Sequence, residues 1–223
     1  MADCVRLVLI SDTHGHHDFP VPDGDVLVHA GDGCKRGTID EAQAWGDFLR
    51  RQSHAHKVVI AGNHDRCFES DLDNSRTTFD GLDFLHDSGC ERRGLRFWGS
   101  PWQPWFLSWA FNLQRGPELA AKWALIPDGV DVLITHGPPQ GILDLTFDDR
   151  AVGCEELRRA IDDRVRPRLH VFGHIHEAYG ARQVGRTMFV NASTCTLAYR
   201  ASNPAVVVDL PLDGGPARLI SGG

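Results

Sequence analysis

Asp12 and His14, Asp32, Asn63, His136, His174 and His176 are side chains of the kinds that hold divalent cations, and all stand at or just beyond the ends of short apolar runs. Carboxylate, imidazole and amide ligands suit Mn, Fe, Co, Ni or Zn, and the lack of thiolates among them argues against a closed structural zinc site. A carboxylate placed between two cations can bridge them at roughly 3.5 to 4 Å. A pair so held can activate water and clamp both oxygens of an in-line phosphoryl displacement. The chemistry this set can do is phosphoester hydrolysis.

Each cluster taken alone has a structural alternative. Asp12-x-His14 and Gly31-Asp32 could cap turns through their side chains, and Gly62-Asn63-His64-Asp65 could be a loop ending in a helix cap. His174 and His176 are more telling, because residues two apart in an extended segment project to the same side and can serve neighbouring ions. The glycines beside the ligands, Gly31, Gly62, Gly137 and Gly173, let the chain turn sharply close to ions or phosphate.

The elements that must position these residues are legible as short runs: Val5 to Ile10, Val26 to Ala30, Val58 to Ala61, Val132 to Ile134, Val171 to Phe172, Met188 to Val190 and Ala205 to Leu210. Their length and β-branched content predict strands, and their near-continuous hydrophobicity predicts burial on both faces. Thr38-Ile39-Asp40-Glu41 is a capping-box pattern, and Ala42, Trp45, Phe48 and Leu49 follow at helical spacing, so a helix is expected over 39–51. Further helices are expected over 117–126 and 154–165. Strands alternating with helices indicate an α/β layered fold, whose strand carboxyl ends are where such folds build sites. Five of those ends should converge.

The 223 residues, 42% hydrophobic and 24% charged, are enough for a sizeable core, and the absence of a visible linker makes one domain over 1–223 the expectation. A net charge of −7 without runs of like charge disfavours an extended nucleic-acid surface or an anionic membrane partner. It leaves room for a small anionic substrate, since bound cations reverse the local potential. Six dispersed cysteines without a CxxC pair, and no signal-type or membrane-length apolar stretch, point to a reducing, cytoplasmic setting. Asn191-Ala192-Ser193 matches a glycosylation acceptor and is taken as coincidence. Trp98, Trp102, Trp105 and Trp109 cluster around Pro101 and Pro104, either packing a surface turn on the core or forming an aromatic wall for a base.

Together, Asp12-x-His14, Gly31-Asp32, Gly62-Asn63-His64-Asp65, His136-Gly137 and Gly173-His174-x-His176 resemble the ordered motifs of the calcineurin-like metallophosphoesterases. Gly99-Ser100-Pro101-Trp102 and the compact size are similar to their small metallophosphoesterase-domain-containing members. The resemblance implies a four-layer α/β/β/α sandwich of two mixed β-sheets flanked by helices, and two divalent metal ions. It gives Asp12, His14, Asp32 and His176 to one ion and Asp32, Asn63, His136 and His174 to the other, with Asp32 bridging. It implies that His64 contacts phosphate and protonates or stabilises the leaving oxygen, with Asp65 fixing its tautomer; a helix cap is the alternative for Asp65. It further implies a phosphodiesterase acting on small or cyclic nucleotide-type diesters, with a phosphomonoesterase next, and then a nuclease or a non-catalytic metal-binding module. Substrate contacts are expected from Asn63, His64 and Arg66. His29 and His170 should be buried and hydrogen-bonded, whereas His16 and His17 should be solvated and His54, His56 and His86 should lie on the surface. Cys34 is read either as an oxidation-sensitive thiol or as a packed inert one.

Overall fold

The computed structural model describes residues 3 to 223. Its strands are β1 (Cys4–Ile10), β2 (Val26–His29), β3 (His56–Val59), β4 (Asp83–Phe84), β5 (Ser88–Arg92), β6 (Leu95–Ser100), β7 (Gln103–Pro104), β8 (Asn112–Leu113), β9 (Val132–Thr135), β10 (Leu169–Phe172), β11 (Gly180–Val184), β12 (Thr187–Asn191), β13 (Val206–Pro211) and β14 (Arg218–Ser221). The α-helices are α1 (Ile39–Arg50), α2 (Arg66–Ser70), α3 (Leu72–Arg76), α4 (Pro117–Ala124) and α5 (Glu155–Ala160).

Two six-stranded mixed sheets form, in the orders β14-β13-β1-β2-β3-β4 and β11-β12-β10-β9-β6-β5. The apolar runs are near-continuous because alternate residues of one strand serve two different cores. In β1, Leu7 and Leu9 pack with Val132, Ile134, Val171 and Val190 of the other sheet. Val8 and Ile10, on the opposite face, pack with Trp45, Phe48 and Leu49 of α1. The second sheet repeats the arrangement, with Leu133, Phe172 and Phe189 turned towards Leu119 and Trp123 of α4 and Leu157 of α5. The result is the α/β/β/α sandwich, its inner strands buried on both faces as parallel strands generally are.

The predicted helix at 39–51 is α1. Thr38 Oγ1 accepts from the Glu41 amide while the Glu41 side chain accepts from the Thr38 amide, completing the capping box. The segment expected as one helix over 154–165 is α5 followed by a π-helical turn, Ile161–Val165, closed by Arg166 in a left-handed conformation. Three histidines depart from expectation. His54 is only 2% exposed, His86 is half-buried, and His17 stacks on Phe48 with ring centroids 4.8 Å apart. Isolated histidines among polar neighbours carry no periodicity that would mark them as buried.

Candidate metal centre

The carboxyl ends of β1, β2, β3, β9 and β10 deliver the chemistry-bearing residues to one place. The first sheet brings Asp12, His14, Asp32, Asn63 and His64, and the second brings His136, His174 and His176. Backbone bonds hold the strand ends in mutual register: Asp12 N–H donates to Gly31 O at 2.9 Å, His14 N–H to Asp32 O at 2.9 Å and Gly173 N–H to His136 O at 2.9 Å.

Asp12, His14, Asp32 and His174 all adopt left-handed backbone, with φ of 51°, 44°, 56° and 68°. Such angles are uncommon outside glycine, although Asp, Asn and His tolerate them best. Four of them in one cluster is the clustering of backbone strain expected at a functional site. Gly62 and Gly173 are required for a different reason. A Cβ on Gly173 would collide with the Asp12 carboxylate, and one on Gly62 with the Asp32 carboxylate and the His136 ring.

The side chains form two adjoining sets. In the first, Asp12 Oδ1 lies 3.2 Å from His176 Nε2, and His176 Nε2 lies 3.2 Å from His14 Nε2. In the second, His136 Nε2 lies 2.9 Å from Asn63 Oδ1, and the His174 ring stands 5.0 Å from the His136 ring. Asp32 Oδ2 stands between the sets, 3.8 Å from His14 Nε2 and 3.4 Å from His136 Nε2.

Both aspartates are held by backbone amides, Asp32 through one oxygen and Asp12 through both, its Oδ1 lying 3.1 Å from the His174 amide. Asp32 Oδ1 accepts the His64 amide at 2.7 Å. Asp12 Oδ2 accepts the His174 amide at 3.0 Å and lies 3.0 Å from the Ser193 hydroxyl. The imidazoles follow the same logic. His136 Nδ1 meets Ala30 O at 3.0 Å, and His176 Nδ1 meets Thr196 O at 3.0 Å. A carbonyl can only accept, so each Nδ1 carries a proton and Nε2 is the nitrogen that faces the centre, with its lone pair available once the ring is neutral. His14 breaks the pattern, its Nδ1 being buried without a partner among the described residues.

Lone pairs and carboxylate oxygens crowded at about 3 Å need a cation or a shared proton. Burial works against charge on His136, yet the adjacent Asp32 outweighs it and lifts this imidazole to about 9. Burial lowers His174 to about 3 and His14 to about 4, keeping both neutral and able to ligate. Although burial alone would raise it, Asp32 is held well below the usual carboxylate range by His136 and its neighbours. Ionised carboxylates and the neutral His14 and His174 are donors a divalent cation takes directly, while on His136 the cation takes the place of the proton that Asp32 otherwise holds there, and the residues fit the two ions that the motif order implies.

Two expectations are corrected. Asp65 does not touch the His64 ring, and its side chain does not cap α2. Buried at 0% exposure, its carboxylate instead accepts the amides of Asp32 at 2.8 Å, Cys34 at 2.9 Å and Gly62 at 2.7 Å, tying the Gly31-Asp32 and Gly62-Asn63 turns together. The tautomer of His64 is set by Lys35 O, 2.7 Å from Nδ1. Arg66 does not line the cavity above the centre. Its guanidinium donates to Ser108 O at 3.1 Å and lies over the Trp109 ring, because α2 carries it towards the 105–111 loop. Cys34 is buried, and its hydrogen bond with Cys67 together with burial pushes the thiol up, which favours the packed, inert reading.

The tryptophan cluster divides at Pro104. Trp98 and Trp102 pack against the α4 and α5 core, whereas Trp105 and Trp109 line the cavity. Trp109 stacks on His64 with centroids 4.0 Å apart and planes 24° apart.

Residues not singled out for the site are Ser193, Asn191 and Tyr199. The Asn191-Ala192-Ser193 triplet is buried beneath the centre: Ser193 holds Asp12, and Asn191 Nδ2 donates to Ile175 O at 2.8 Å. The triplet's position at the end of a strand-like run is the available signal. The Tyr199 ring meets His14 and His176 in T-shaped contacts, with ring centroids 4.8 and 5.4 Å apart.

With this geometry in place, the comparisons with known proteins agree with it. A family model described as calcineurin-like phosphoesterase matches residues 5–178, and the chain belongs to that family. It is accordingly a metal-dependent phosphoesterase, of a family that uses two divalent ions. Within the family it is of the metallophosphoesterase-domain-containing type. It is 44% identical to metallophosphoesterase domain-containing protein 1 of Homo sapiens over 231 residues, an alignment covering 92% of this chain and 71% of that one, and equally similar to the Mus musculus protein of the same name. Its fold matches the crystal structure of TT1561 from Thermus thermophilus, with a TM-score of 0.63, 14% identity and coverage of 98% and 99% of the two chains. No helix among the described residues is long and apolar enough to cross a membrane.

Proposed function

We propose that the chain is a phosphodiesterase acting on small or cyclic nucleotide-type diesters. In this reading Asp12, His14, Asp32 and His176 hold one ion, and Asp32, Asn63, His136 and His174 hold the other. The observation that carries the assignment is Asp32, whose Oδ2 faces an imidazole of each set while Oδ1 is fixed by the His64 amide. When bound, the two ions supply activated water and positive charge against the phosphoryl oxygens.

The chain's own residues do the rest. His64 gives its Nδ1 proton to Lys35 O as a hydrogen bond, which leaves Nε2 as the nitrogen available to substrate. A proton held there passes to the leaving oxygen as the ester bond breaks, a contribution of roughly 100- to 10,000-fold. Trp109, stacked on the same ring, limits its rotation. Asp65 keeps the two ligand-bearing turns at a fixed separation.

The diester preference is supported by the charges in the cavity walls. Arg115 is committed to the carbonyls of Gly153 and Val152, and Arg150 to Asp148. Neutralising the second negative charge of a monoester would cost one of these contacts. The test is a panel of mono- and diesters assayed after chelation and reloading with Mn, Fe, Co, Ni or Zn. Activity should vanish with the chelator, return with a divalent ion and favour diesters. Faster turnover of monoesters with every ion reverses the substrate assignment.

A further inference from the structure

Two buried histidines outside the ligand set, His29 on β2 and His170 on β10, occupy matching places in the two sheets. Both are 0% exposed and face the outer, helix-side cores. His29 lies against Trp45 of α1 with ring centroids 4.7 Å apart, and His170 against Phe172 and Phe189 at 5.0 and 5.7 Å. Their neighbours in register are apolar: Ile10 and Val59 for His29, Leu133 and Phe189 for His170. An imidazole in such surroundings gives up its hydration and needs hydrogen bonds in compensation, a requirement that an aliphatic residue there would not have.

Those bonds are equivalent in the two sheets. His29 Nε2 lies 3.1 Å from the hydroxyl of Thr13, just past β1, and His170 Nε2 lies 2.8 Å from the hydroxyl of Thr135, the last residue of β9. β1 and β2 are parallel neighbours, as are β9 and β10, and all four carry candidate ligands beyond their carboxyl ends. Each bond therefore ties two ligand-bearing strands together beneath their ligands.

Donor and acceptor are fixed by the remaining partners. Thr135 gives its one hydroxyl proton to Gly137 O at 2.8 Å, so it can only accept from His170 Nε2–H. Gly31 N–H donates to His29 Nδ1 at 3.3 Å, which leaves the ring proton on Nε2, directed at Thr13. Both chains of bonds end on turns that bear ligands. Thr13 stands between Asp12 and His14, and Gly31, with φ of 98°, leads into Asp32, so one ring holds both left-handed turns of the first sheet. Thr135 and Gly137 flank His136, so His170 reaches the backbone on both sides of that ligand. Strained backbone persists only where its surroundings over-determine it.

We propose that His29 and His170 are positioning residues for the metal centre. His29 sets the turns of Asp12, His14 and Asp32 through Thr13 and Gly31, and His170 sets His136 through Thr135 and Gly137. The inference rests on the reading of these turns as metal-binding and adds the device that fixes them before an ion arrives. The two devices are separate, so each governs its own part of the centre: His170 the ion of His136, and His29 the other ion together with the shared Asp32.

The test is metal binding by the full chain after chelation, measured with Mn in competition with a fluorescent chelator, and the d–d spectrum after loading with Co. Thr135→Val keeps the shape and removes the hydroxyl. It should weaken the binding step of one ion about tenfold or more, the scale of losing a group that orients a ligand, and alter the Co spectrum. Thr135→Ser should restore both readouts. His170→Phe should weaken the same step, and the Thr135→Val/His170→Phe double variant should lose no more than the larger single loss, because both changes cut one chain of bonds. Thr13→Val should weaken the other step, and His29→Phe, which releases both turns of the first sheet, should weaken the two together. Thr187→Val is the structural control: Thr187 is buried at the start of β12, the end of its sheet away from the ligands, and its hydroxyl donates to Pro167 O. It should lower the urea midpoint without moving either binding step. Unchanged affinities in Thr13→Val and Thr135→Val overturn the proposal, as does a loss that Thr135→Ser fails to restore, or an equal loss in Thr187→Val. A parent chain that takes up no divalent ion refutes the metal-centre reading itself; a parent that binds two ions with the same affinity as its variants refutes the positioning role alone.

Discussion

The floor and the walls of the cavity are built on opposite principles. Every candidate ligand on the floor comes from the end of a buried strand, and four of them, Asp12, Asp32, His136 and His176, are oriented by backbone amides and carbonyls. The walls are side chains on connecting segments, such as Phe106, Phe147 and Tyr199, exposed and apolar, set by turns. The floor is therefore a device for placing charge, and the walls are a device for excluding water from a shape. Reaction and substrate are specified by different parts of the chain, with Trp109 as the piece that belongs to both. It lines the cavity and stacks on His64, while Ala110 N donates to Asn63 O at 3.2 Å.

The sharpest way to break this division is at Asp32. Asp32→Asn should deplete both ions in metal analysis and take turnover to background, and an unchanged content of two ions per chain would contradict a shared carboxylate. Next comes His64→Ala, which should keep both ions and lose roughly 100- to 10,000-fold in turnover. Full activity on a bis-aryl phosphate sinks its assigned role. Ser193→Ala should weaken metal affinity by about 10- to 100-fold, as loss of a group that orients a ligand does. If its metal titration matches the parent's, Asp12 does not depend on that hydroxyl.

Trp109→Ala tests the link between the two regions. It should lower kcat by about three- to tenfold, the scale of one lost ring stack, and raise KM for aromatic diesters. A change in KM alone would place Trp109 with the walls only. The smallest effect concerns pH. Burial takes His170 to about 3 from an ordinary value of 6.5. Between those values the unfolded chain binds the proton and the folded one does not. The stability from neutral His170 is therefore complete above 6.5 and is lost as pH falls towards 3, at up to about 1.4 kcal/mol per pH unit. His170→Gln should flatten the dependence of the urea midpoint on pH in that window, and an unaltered slope would remove His170 as its source.

The strands that carry ligands are legible in the sequence because burial on both faces leaves an unbroken apolar run, as in Val5 to Ile10. The β5-β6 hairpin, β11 and β14 are not. β5, β11 and β14 lie at sheet edges, with most of their residues at least partly facing solvent, and Gly-Ala-Arg-Gln-Val in β11 has no apolar periodicity to detect. The candidate ligands can be read from residue type and order. What orients them cannot, because Ala30, Lys35 and Thr196 act through carbonyls that every residue has. Asp65 misleads for a related reason: adjacency to His64 in sequence suggests a contact, but the carboxylate turns towards amides that only the folded turns bring near. Phe106, Phe147 and Tyr199 meet only through loop geometry.

The left-handed backbone at Asp12, His14, Asp32 and His174 also bears on how this protein can change over generations. At those positions two selections coincide, one for a side chain that can ligate and one for a residue that tolerates φ near +50°. Most β-branched and large apolar replacements fail the second selection before the first is consulted. Asparagine and glycine satisfy the backbone while weakening or removing the ligand, so the open mutational exits lead to folded, metal-poor descendants. In a saturation library, fold and activity should separate at these four sites chiefly through those two residues.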